Sequence, residues 1–228
     1  MNLLDTVLNF IFPPTCGFCN KMREGYLCQD CKQKITNSNF YLNQLDFYQN
    51  KDNFIEEHFY LFSYVEPIRG KILQYKFDDK AYLANTIYEF FMNNEKLYGF
   101  LKKYDIIIPI PISSSRKRER GYNQSELLAR KISKMANIHI ETQVLKKAKN
   151  NQPQSSLNKE QRRENVKNVY KVQNEVKIQN KEILLLDDIY TTGSTANECA
   201  RMLKQAGCQT VGILTIASDL EKYQKRKE

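Results

Sequence analysis

Apolar residues along the chain include two short continuous runs, at residues 106–110 and 183–186, and a polar cluster follows each run. A continuous apolar run of this length is typical of a strand buried on both faces of a parallel sheet. A helical pattern follows each cluster, over residues 125–135 and over residues 197–206. The second pattern ends before Gly207, a typical helix stop. The order of strand, polar cluster and helix, occurring twice, predicts an α/β protein whose parallel sheet is flanked by helices.

The stretch between residues 38 and 100 is dense in aromatic residues. Its apolar residues fall at helical spacings over residues 71–91, which predicts a helical cap, called here the hood, built from core-forming side chains. We therefore divide the chain into four parts. These are an N-terminal helix with a cysteine knuckle (1–37), the hood (38–100), the α/β domain (101–220) and a basic tail (221–228).

The length and composition predict a soluble globular protein with its own core. The 228 residues suit one or two domains, and no apolar stretch approaches the length of a membrane-spanning helix. The first dozen residues are apolar, but they contain Asp5 and lack the early basic residue of a secretory signal. We therefore expect a cytoplasmic protein.

The net charge of +9 is concentrated in one segment of the chain. Residues 113–167, called here the basic segment, hold 14 Lys or Arg and 5 Asp or Glu, so the remainder of the chain is neutral overall. Charge concentrated in this way indicates a polyanionic partner, either a nucleic acid or a polyphosphate ligand. The alternative is a solvated basic surface without a partner.

Four cysteines near the N-terminus form two C-x-x-C pairs separated by eight residues. They are Cys16, Cys19, Cys28 and Cys31. Each pair presents two thiolates to one ion, and two closely spaced pairs are more specific for a metal than for a disulfide. Because four protein ligands leave no open coordination position, the pattern predicts a structural zinc site.

The apolar run at 183–186 leads directly into two acids, Asp187 and Asp188, and then into a turn rich in Thr, Gly and Ser at residues 191–195. Ligands of open α/β sheets lie at the carboxyl ends of the strands. Free backbone N–H groups at the start of the following helix favour an anion. Together these features predict a ligand that carries both vicinal hydroxyls and a phosphate.

A metal-binding strand of a P-loop nucleotidase also ends in acids after an apolar run. That class requires a G-x-x-x-x-G-K-[ST] loop. The only Gly-Lys pair of this chain, Gly70-Lys71, is followed by Ile72 and lacks the earlier glycine. The sequence therefore argues against a P-loop nucleotidase.

Residues 183–195, with their paired acids and hydroxyl-rich turn, resemble the 5-phosphoribosyl-1-pyrophosphate (PRPP) motif of the type I phosphoribosyltransferases. The resemblance implies that Asp187 and Asp188 accept hydrogen bonds from the ribose hydroxyls, and that PRPP binds together with Mg²⁺. It also implies that the turn cradles the 5′-phosphate. The turn residues are Thr191, Thr192, Gly193, Ser194 and Thr195.

Further motifs resemble the ComF/ComFC family of competence proteins, which place a Cys₄ zinc element before a phosphoribosyltransferase-like domain. The P-x-P strand end of that family falls at residues 109–111, its R-G-[FY]-N-Q segment at residues 120–124, and its later Gln, Leu, Arg-Arg, Asn series at residues 154–165. The resemblance covers nearly the whole chain. It implies a type I phosphoribosyltransferase-like fold and a role in natural transformation, the uptake of DNA.

Arginine residues of the basic segment are the candidate ligands for further phosphates. Arg116, Arg118 and Arg120 follow the first predicted strand in what we expect to be a loop, where the phosphoribosyltransferases hold pyrophosphate. The short glycine-rich pyrophosphate loop usual in that family is absent here. Arg162 and Arg163 lie where the family has a flexible loop that covers the active site.

Two functional hypotheses follow. In the first, a competence-associated protein binds PRPP and Mg²⁺ through residues 187–195 and single-stranded DNA through the basic segment, with Tyr122 as a candidate stacking group. Other proteins of DNA uptake are then expected partners. The alternative is an active phosphoribosyltransferase of nucleotide or amine metabolism with no direct DNA role. No residue stands out as a general base, so the sequence leaves open whether catalysis occurs and which acceptor it would use.

Overall fold

The fold is described for six stretches of the chain in a computed structural model. They are residues 15–22, 25–37, 41–46, 53–92, 94–149 and 159–219, called here the described chain. The predicted N-terminal helix and basic tail lie outside the described residues, and so do Gln154 and Leu157 of the family motif.

Helices and strands alternate along most of the described chain. The helices are α1 (Gln29–Thr36), α2 (Ile68–Phe77), α3 (Leu83–Phe91), α4 (Glu95–Leu101), α5 (Ser114–Arg120), α6 (Gln124–Ala136), α7 (Lys159–Val166) and α8 (Ser194–Gln205). The strands are β1 (Tyr41–Asp46), β2 (Glu57–Ser63), β3 (Ile106–Pro109), β4 (His139–Ile140), β5 (Leu145–Lys147), β6 (Tyr170–Val172), β7 (Glu182–Tyr190) and β8 (Thr210–Ser218). Within these residues, no helix combines the length and the apolar character that crossing a membrane requires.

Six of these strands form one sheet in the order β1-β2-β8-β7-β3-β4. Neighbouring strands are parallel, except that β1 and β2 are antiparallel. β5 and β6 form a separate, two-stranded antiparallel sheet. Helices cover both faces of the sheet, so the structure confirms the predicted α/β fold with a parallel sheet flanked by helices.

The apolar run of β7 is buried on both faces of the sheet, as predicted. Ile183 and Leu185 belong to one hydrophobic core, which α8 and the small β5–β6 sheet cover. Leu184 and Leu186 belong to the core on the other face, under α2, α3, α4 and α6. The alternation follows from the two-residue period of a strand. Each of these buried side chains contributes about 2 kcal/mol of transfer free energy, so β7 anchors both cores.

The hood contains three helices, but it also contains two strands that continue the main sheet. β2 lies parallel to β8, with Phe59 opposite Leu214 and Phe62 opposite Ala217. The helical pattern over residues 71–91 is divided between α2 and α3, which are separated by residues 78–82. Asp79 adopts a positive φ of 52° in that interruption, a conformation that ends regular helix. The division of the chain at residue 100 stays a prediction.

The arginine-rich stretch after β3 is a helix, α5, where the sequence predicted a loop. The hydroxyl of Ser113 accepts a hydrogen bond from the N–H of Arg116 at 3.3 Å and caps the start of the helix. Gly121 ends it with a φ of 75°. The basic residues of the last turn suit the negative end of the helix dipole, which explains why so charged a stretch is helical.

Candidate functional site

A small, open pocket lies at the carboxyl end of β7. It is lined by Asp187 and by residues 189–196, so the structure brings one of the two predicted acids and the whole predicted turn to one place. The parallel strands β2, β3, β7 and β8 all end at this edge of the sheet. This is the edge where open α/β sheets bind their ligands.

The strand β3 ends before it reaches the acids of β7. β3 pairs with β7 as far as Pro109 opposite Leu186, and the N–H of Ile110 donates to the carbonyl of Leu186 at 2.9 Å. β3 ends at Pro109, so its pairing with β7 does not continue along Asp187 and beyond. β7 itself continues to Tyr190 through its pairing with β8. The acids therefore project from a strand that is supported on one side and open on the other.

The turn between β7 and α8 has the geometry of an anion cradle. Gly193 has a φ of 72°, and a Cβ atom at this position would overlap the phenol of Tyr190. The hydroxyls of Thr192 and Ser194 are 2.8 Å apart, and the N–H of Ser194 points to the Thr192 hydroxyl at 3.4 Å. The first N–H groups of α8 lie in the same turn. The turn thus presents backbone and hydroxyl donors to the pocket.

Asp187 is held by two donors and is difficult to ionise. The hydroxyl of Ser125 donates to Asp187 Oδ1 at 3.1 Å, and the N–H of Asp188 donates to the same oxygen at 2.9 Å. Burial and, after it, the neighbouring carboxylate of Asp188 raise the pKa of Asp187 to about 7, against the lowering effects of Lys76 and of the two hydrogen bonds. The carboxyl of Asp187 is therefore poised to change its charge near neutral pH.

Asp188 forms an ion pair with a residue of the hood. Nζ of Lys76, near the end of α2, lies 2.9 Å from Asp188 Oδ1. Both side chains are largely buried, with 18% of the lysine and 13% of the aspartate exposed. An ion pair with little solvent around it is stronger than a surface pair. The hood therefore contacts the predicted ribose-binding acids directly.

The predicted arginines lie at different distances from the acids. Arg120 is close enough for Asp188 to raise its pKa, which burial lowers. Arg118 is exposed on α5. Arg162 and Arg163 are in the helix α7, and the structure describes only their backbone. Their predicted closure over a ligand stays a prediction.

Tyr122, the candidate stacking group, is half-buried and contacts the hood. Its hydroxyl donates to the carbonyl of Tyr75 at 2.5 Å, and the two rings pack with centroids 5.9 Å apart. The hydroxyl of Tyr75 in turn donates to the carbonyl of Gln124 at 2.9 Å. Tyr122 therefore ties the end of α2 to the start of α6.

Four residues of the site have no individual signal in the sequence. Their partners are distant in the chain, and only the fold reveals them. They are Lys76 and Ser125, which contact the two acids, Tyr190, which fills the space under Gly193, and Lys147 of β5. Burial lowers the pKa of Lys147 and Arg116 lowers it further, whereas Asp187 raises it, so Lys147 adds a positive charge near the pocket.

The four predicted cysteines form a cluster that fits zinc. Their sulfur atoms all lie within 4.8 Å of one another, and Sγ of Cys19 and Sγ of Cys28 are 3.8 Å apart. Tetrahedral zinc with Zn–S bonds of about 2.3 Å requires sulfurs about 3.8 Å apart. Without an ion the four thiols share their protons: against the raising effect of burial, backbone N–H groups lower the pKa of Cys16 to about 6, whereas burial and the neighbouring cysteines raise the pKa of Cys31. The cluster is a structural zinc site.

The zinc knuckle docks on helix α3 of the hood. The hydroxyl of Thr86 donates to the carbonyl of Tyr26 at 3.0 Å, and the rings of Phe18 and Phe90 meet edge to face at 5.9 Å. Gly17 is required here because a Cβ atom would overlap the side chain of Thr86. The knuckle is thus packed onto the same hood that supplies Lys76.

Comparison with known domain families defines the class of this protein. Residues 119–228 match the phosphoribosyl transferase domain, and residues 7–40 match the double zinc ribbon domain. The protein therefore combines a type I phosphoribosyltransferase-like fold with an N-terminal zinc ribbon.

Individual relatives narrow this class to one family. Competence protein F of Haemophilus influenzae is 30% identical over 160 residues, which cover 68% of this chain and 69% of the relative. Competence protein ComFC of Streptococcus pneumoniae is 28% identical over 212 residues, 93% of this chain and 84% of the relative. DNA utilization protein YhgH of Escherichia coli O157:H7 is 28% identical over 161 residues, 69% and 70% of the two chains. The chain belongs to the ComF/ComFC family of competence proteins, as its motifs predicted.

Proposed function

We propose that the protein binds PRPP with Mg²⁺ in the pocket of residues 187–196 and single-stranded DNA along the basic segment, and that it acts in DNA uptake in the cytoplasm. One observation carries the proposal. The carboxyl of Asp187, with Asp188 beside it in β7, adjoins a glycine-centred turn of N–H and hydroxyl donors at the carboxyl edge of a parallel sheet. A ribose phosphate has the complementary groups, since its hydroxyls donate to carboxylates and its phosphate accepts from the turn.

The acids have the chemistry that a ribose and a magnesium ion require. Carboxylate oxygens accept hydrogen bonds from vicinal hydroxyls, and they are also the oxygen ligands that Mg²⁺ prefers. Asp187 and Asp188 would hold the ribose and the hydrated ion between them. Because Lys76 already pairs with Asp188, an incoming ligand shares this carboxylate with the lysine or displaces it.

The basic segment supports the DNA half of the proposal. Lys117 and Arg118 are exposed on α5, directly after the strand that borders the pocket. Close relatives are named competence protein and DNA utilization protein. A phosphate backbone that follows α5 would pass beside the ribose-phosphate pocket, so both ligands fit on one side of the molecule.

Calorimetry with PRPP and Mg²⁺ tests the first half. We expect wild-type protein to bind, and Asp187→Asn with Asp188→Asn to lose binding, because both carboxylate charges are removed. The matched control is Asp78→Asn with Asp79→Asn, a second pair of adjacent acids, which is exposed on the hood. Single-stranded DNA binding should survive in both variants. Absence of PRPP binding by the wild type would refute the proposal.

The match of residues 119–228 to the phosphoribosyl transferase domain also favours a second candidate, an active transferase. In that reaction an acceptor forms a bond to C1 of the ribose, pyrophosphate leaves, and the acceptor loses its proton. Positive charges near the pocket, such as Arg116 and Lys147, would stabilise the departing pyrophosphate. A pyrophosphate-release screen with nucleobases, amines and single-stranded DNA as acceptors tests it. If none releases pyrophosphate above background while PRPP binds, the site is a binding site only.

A further inference from the structure

The last residue of α2, Phe77, leaves a large aromatic ring in solvent. Its exposed fraction is 61%, whereas that of Tyr82, another exposed aromatic residue of the hood, is 38%. A ring of this size gains free energy when it leaves water. A single exposed ring is ordinary on a protein surface, so the groups around Phe77 decide whether it belongs to a site.

Arg120 lies over the ring of Phe77, with its guanidinium carbon 4.6 Å from the ring centroid. Its Nε is buried, and no group of the described chain accepts a hydrogen bond from it. No carboxylate of the described chain forms a salt bridge with Arg120 either. The guanidinium thus has a planar partner on one face, and no salt bridge within the described residues holds its charge.

The Phe77–Arg120 pair adjoins the acids of the pocket. Lys76, the residue before Phe77, forms the 2.9 Å ion pair with Asp188. Arg120 interacts electrostatically with the same aspartate. The pair therefore joins the last residue of the basic helix α5 to the end of α2, next to the ion pair with Asp188.

The position of the pair is fixed by hydrogen bonds on both sides. Tyr122, two residues after Arg120, donates to the carbonyl of Tyr75, two residues before Phe77. Tyr75 donates back to the carbonyl of Gln124. Because these bonds join the end of α2 to the start of α6, the exposed ring is held in place before any ligand arrives. A preformed site loses less entropy on binding.

We propose that Phe77 and Arg120 form a nucleobase-binding site beside the ribose-phosphate pocket. The proposal deepens the proposed function and rests on it, because the base belongs either to the bound single strand or to a free nucleotide. An aromatic face and a guanidinium plane stack on any base, whatever its sequence. The positive charge of α5 then holds the phosphate that the base carries. Phe77 replaces Tyr122 as the stacking group.

Three probes test the proposal by fluorescence anisotropy and calorimetry. The first is an oligothymidine of about 20 nucleotides, and the second is an abasic strand of equal length and charge. The third is AMP, a free nucleotide. The variants are Phe77→Ala and, as the matched control, Tyr82→Ala, which removes a different exposed ring of the hood.

We expect Phe77→Ala to weaken oligothymidine binding about tenfold, since stacking on one base contributes 5- to 150-fold in affinity, roughly. Binding of the abasic strand should not change, because its phosphates contact basic residues only. Tyr82→Ala should behave as wild type with every probe. Loss of AMP binding in Phe77→Ala would identify a free nucleotide as a ligand, whereas loss confined to oligothymidine would identify the bases of the strand.

The proposal is overturned if Phe77→Ala binds oligothymidine and AMP with wild-type affinity. It is also overturned if wild-type protein binds oligothymidine no better than the abasic strand and does not bind AMP. PRPP binding, measured on the same samples, reports on the ribose-phosphate pocket separately. If the protein binds PRPP but neither oligothymidine nor AMP, the proposed PRPP binding stands and the proposed nucleobase site is excluded.

Discussion

At the scale of single residues, the chemistry of the site depends on how Asp187 is buried. Its carboxyl accepts two hydrogen bonds, from Ser125 and from the backbone of Asp188, yet its pKa is raised to about 7. Burial and a neighbouring charge therefore outweigh the donors. A ligand that supplies further hydrogen bonds or a positive ion would favour the ionised form.

The raised pKa makes the stability of the protein depend on Asp187 in a defined direction. An unfolded aspartate has a pKa of about 3.9, so between about pH 4 and pH 7 the folded chain retains a proton that the unfolded chain loses. The stabilisation from this proton is complete below about pH 4 and is lost as the pH rises through about 7. We expect Asp187→Asn to be more stable than wild type at pH 8 by roughly 2 to 4 kcal/mol, and the difference to shrink at pH 5.

Urea unfolding at the two pH values measures this difference. Asp105→Asn, which removes a carboxylate that is 45% exposed, is the control and should change stability equally at both. The free energy of unfolding of Asp187→Asn can also be compared with that of the wild type. If the difference is the same at both pH values, Asp187 is not the group that titrates.

A side chain at position 193 would be strained for two reasons. A side chain there must adopt a φ of 72° and must also overlap Tyr190. Gly121 has a similar φ of 75°, but no atom lies within 4 Å of an added Cβ. We expect Gly121→Ala to lose about 1 kcal/mol of unfolding free energy and Gly193→Ala to lose at least about 1 kcal/mol more. Equal losses in urea unfolding would mean that Tyr190 moves aside without cost.

At the scale of secondary-structure elements, the hood joins the zinc knuckle to the site. The knuckle packs on α3 through Thr86 and Phe90, and α2, next to α3, places Lys76 against Asp188. The packing of α2 and α3 in one core makes this a continuous chain of contacts. Loss of the knuckle should therefore destabilise the hood.

Removal of one zinc ligand tests this connection. We expect Cys28→Ser to contain no zinc by elemental analysis and to unfold about 5 °C lower, because the knuckle no longer supports α3. Cys208→Ser, a buried cysteine outside the cluster, should retain one zinc ion per chain. Full zinc content in Cys28→Ser would exclude the four-cysteine site.

Local patterns predicted the elements well where neighbouring residues decide the structure. The four cysteines and residues 183–195 are close in sequence, so their spacing carried the prediction of the zinc cluster and of the strand, turn and helix. The arginine-rich stretch was wrongly predicted as a loop, because the cap of Ser113 and the dipole of α5 were overlooked. The contact of Lys76 with Asp188 joins residues far apart in the chain, and no local pattern encodes it.

At the scale of the whole molecule, we expect the distribution of charge to have the main effect on the affinity for single-stranded DNA. The basic segment carries a net charge equal to the +9 of the chain, and α5 presents part of it beside the pocket. Binding to a phosphate backbone releases counterions, so affinity falls as salt rises. The remainder of the molecule, neutral overall, should contribute little to this dependence.

We expect a double substitution in α5, Arg116→Ala with Arg118→Ala, to reduce the slope of log affinity against log salt for single-stranded DNA by about 1.4, or about 0.7 for each phosphate contact. Lys96→Ala with Lys102→Ala removes the same charge from exposed positions of the hood and its border, outside the basic segment. This control should leave the slope unchanged. If both pairs reduce the slope equally, the net charge of the protein matters and the basic segment does not.

The position of β8 in the sheet has a consequence for how the protein is made. β8 lies between β2 and β7, so residues 210–218 join the hood strands to the strand that carries the acids. A nascent chain that has not yet released these residues from the ribosome holds two halves of a sheet with facing open edges. Such edges are prone to pair with other chains. The residues of the zinc knuckle are synthesised long before that moment, whereas β7, which carries the acids, lacks its neighbour β8 until residues 210–218 emerge.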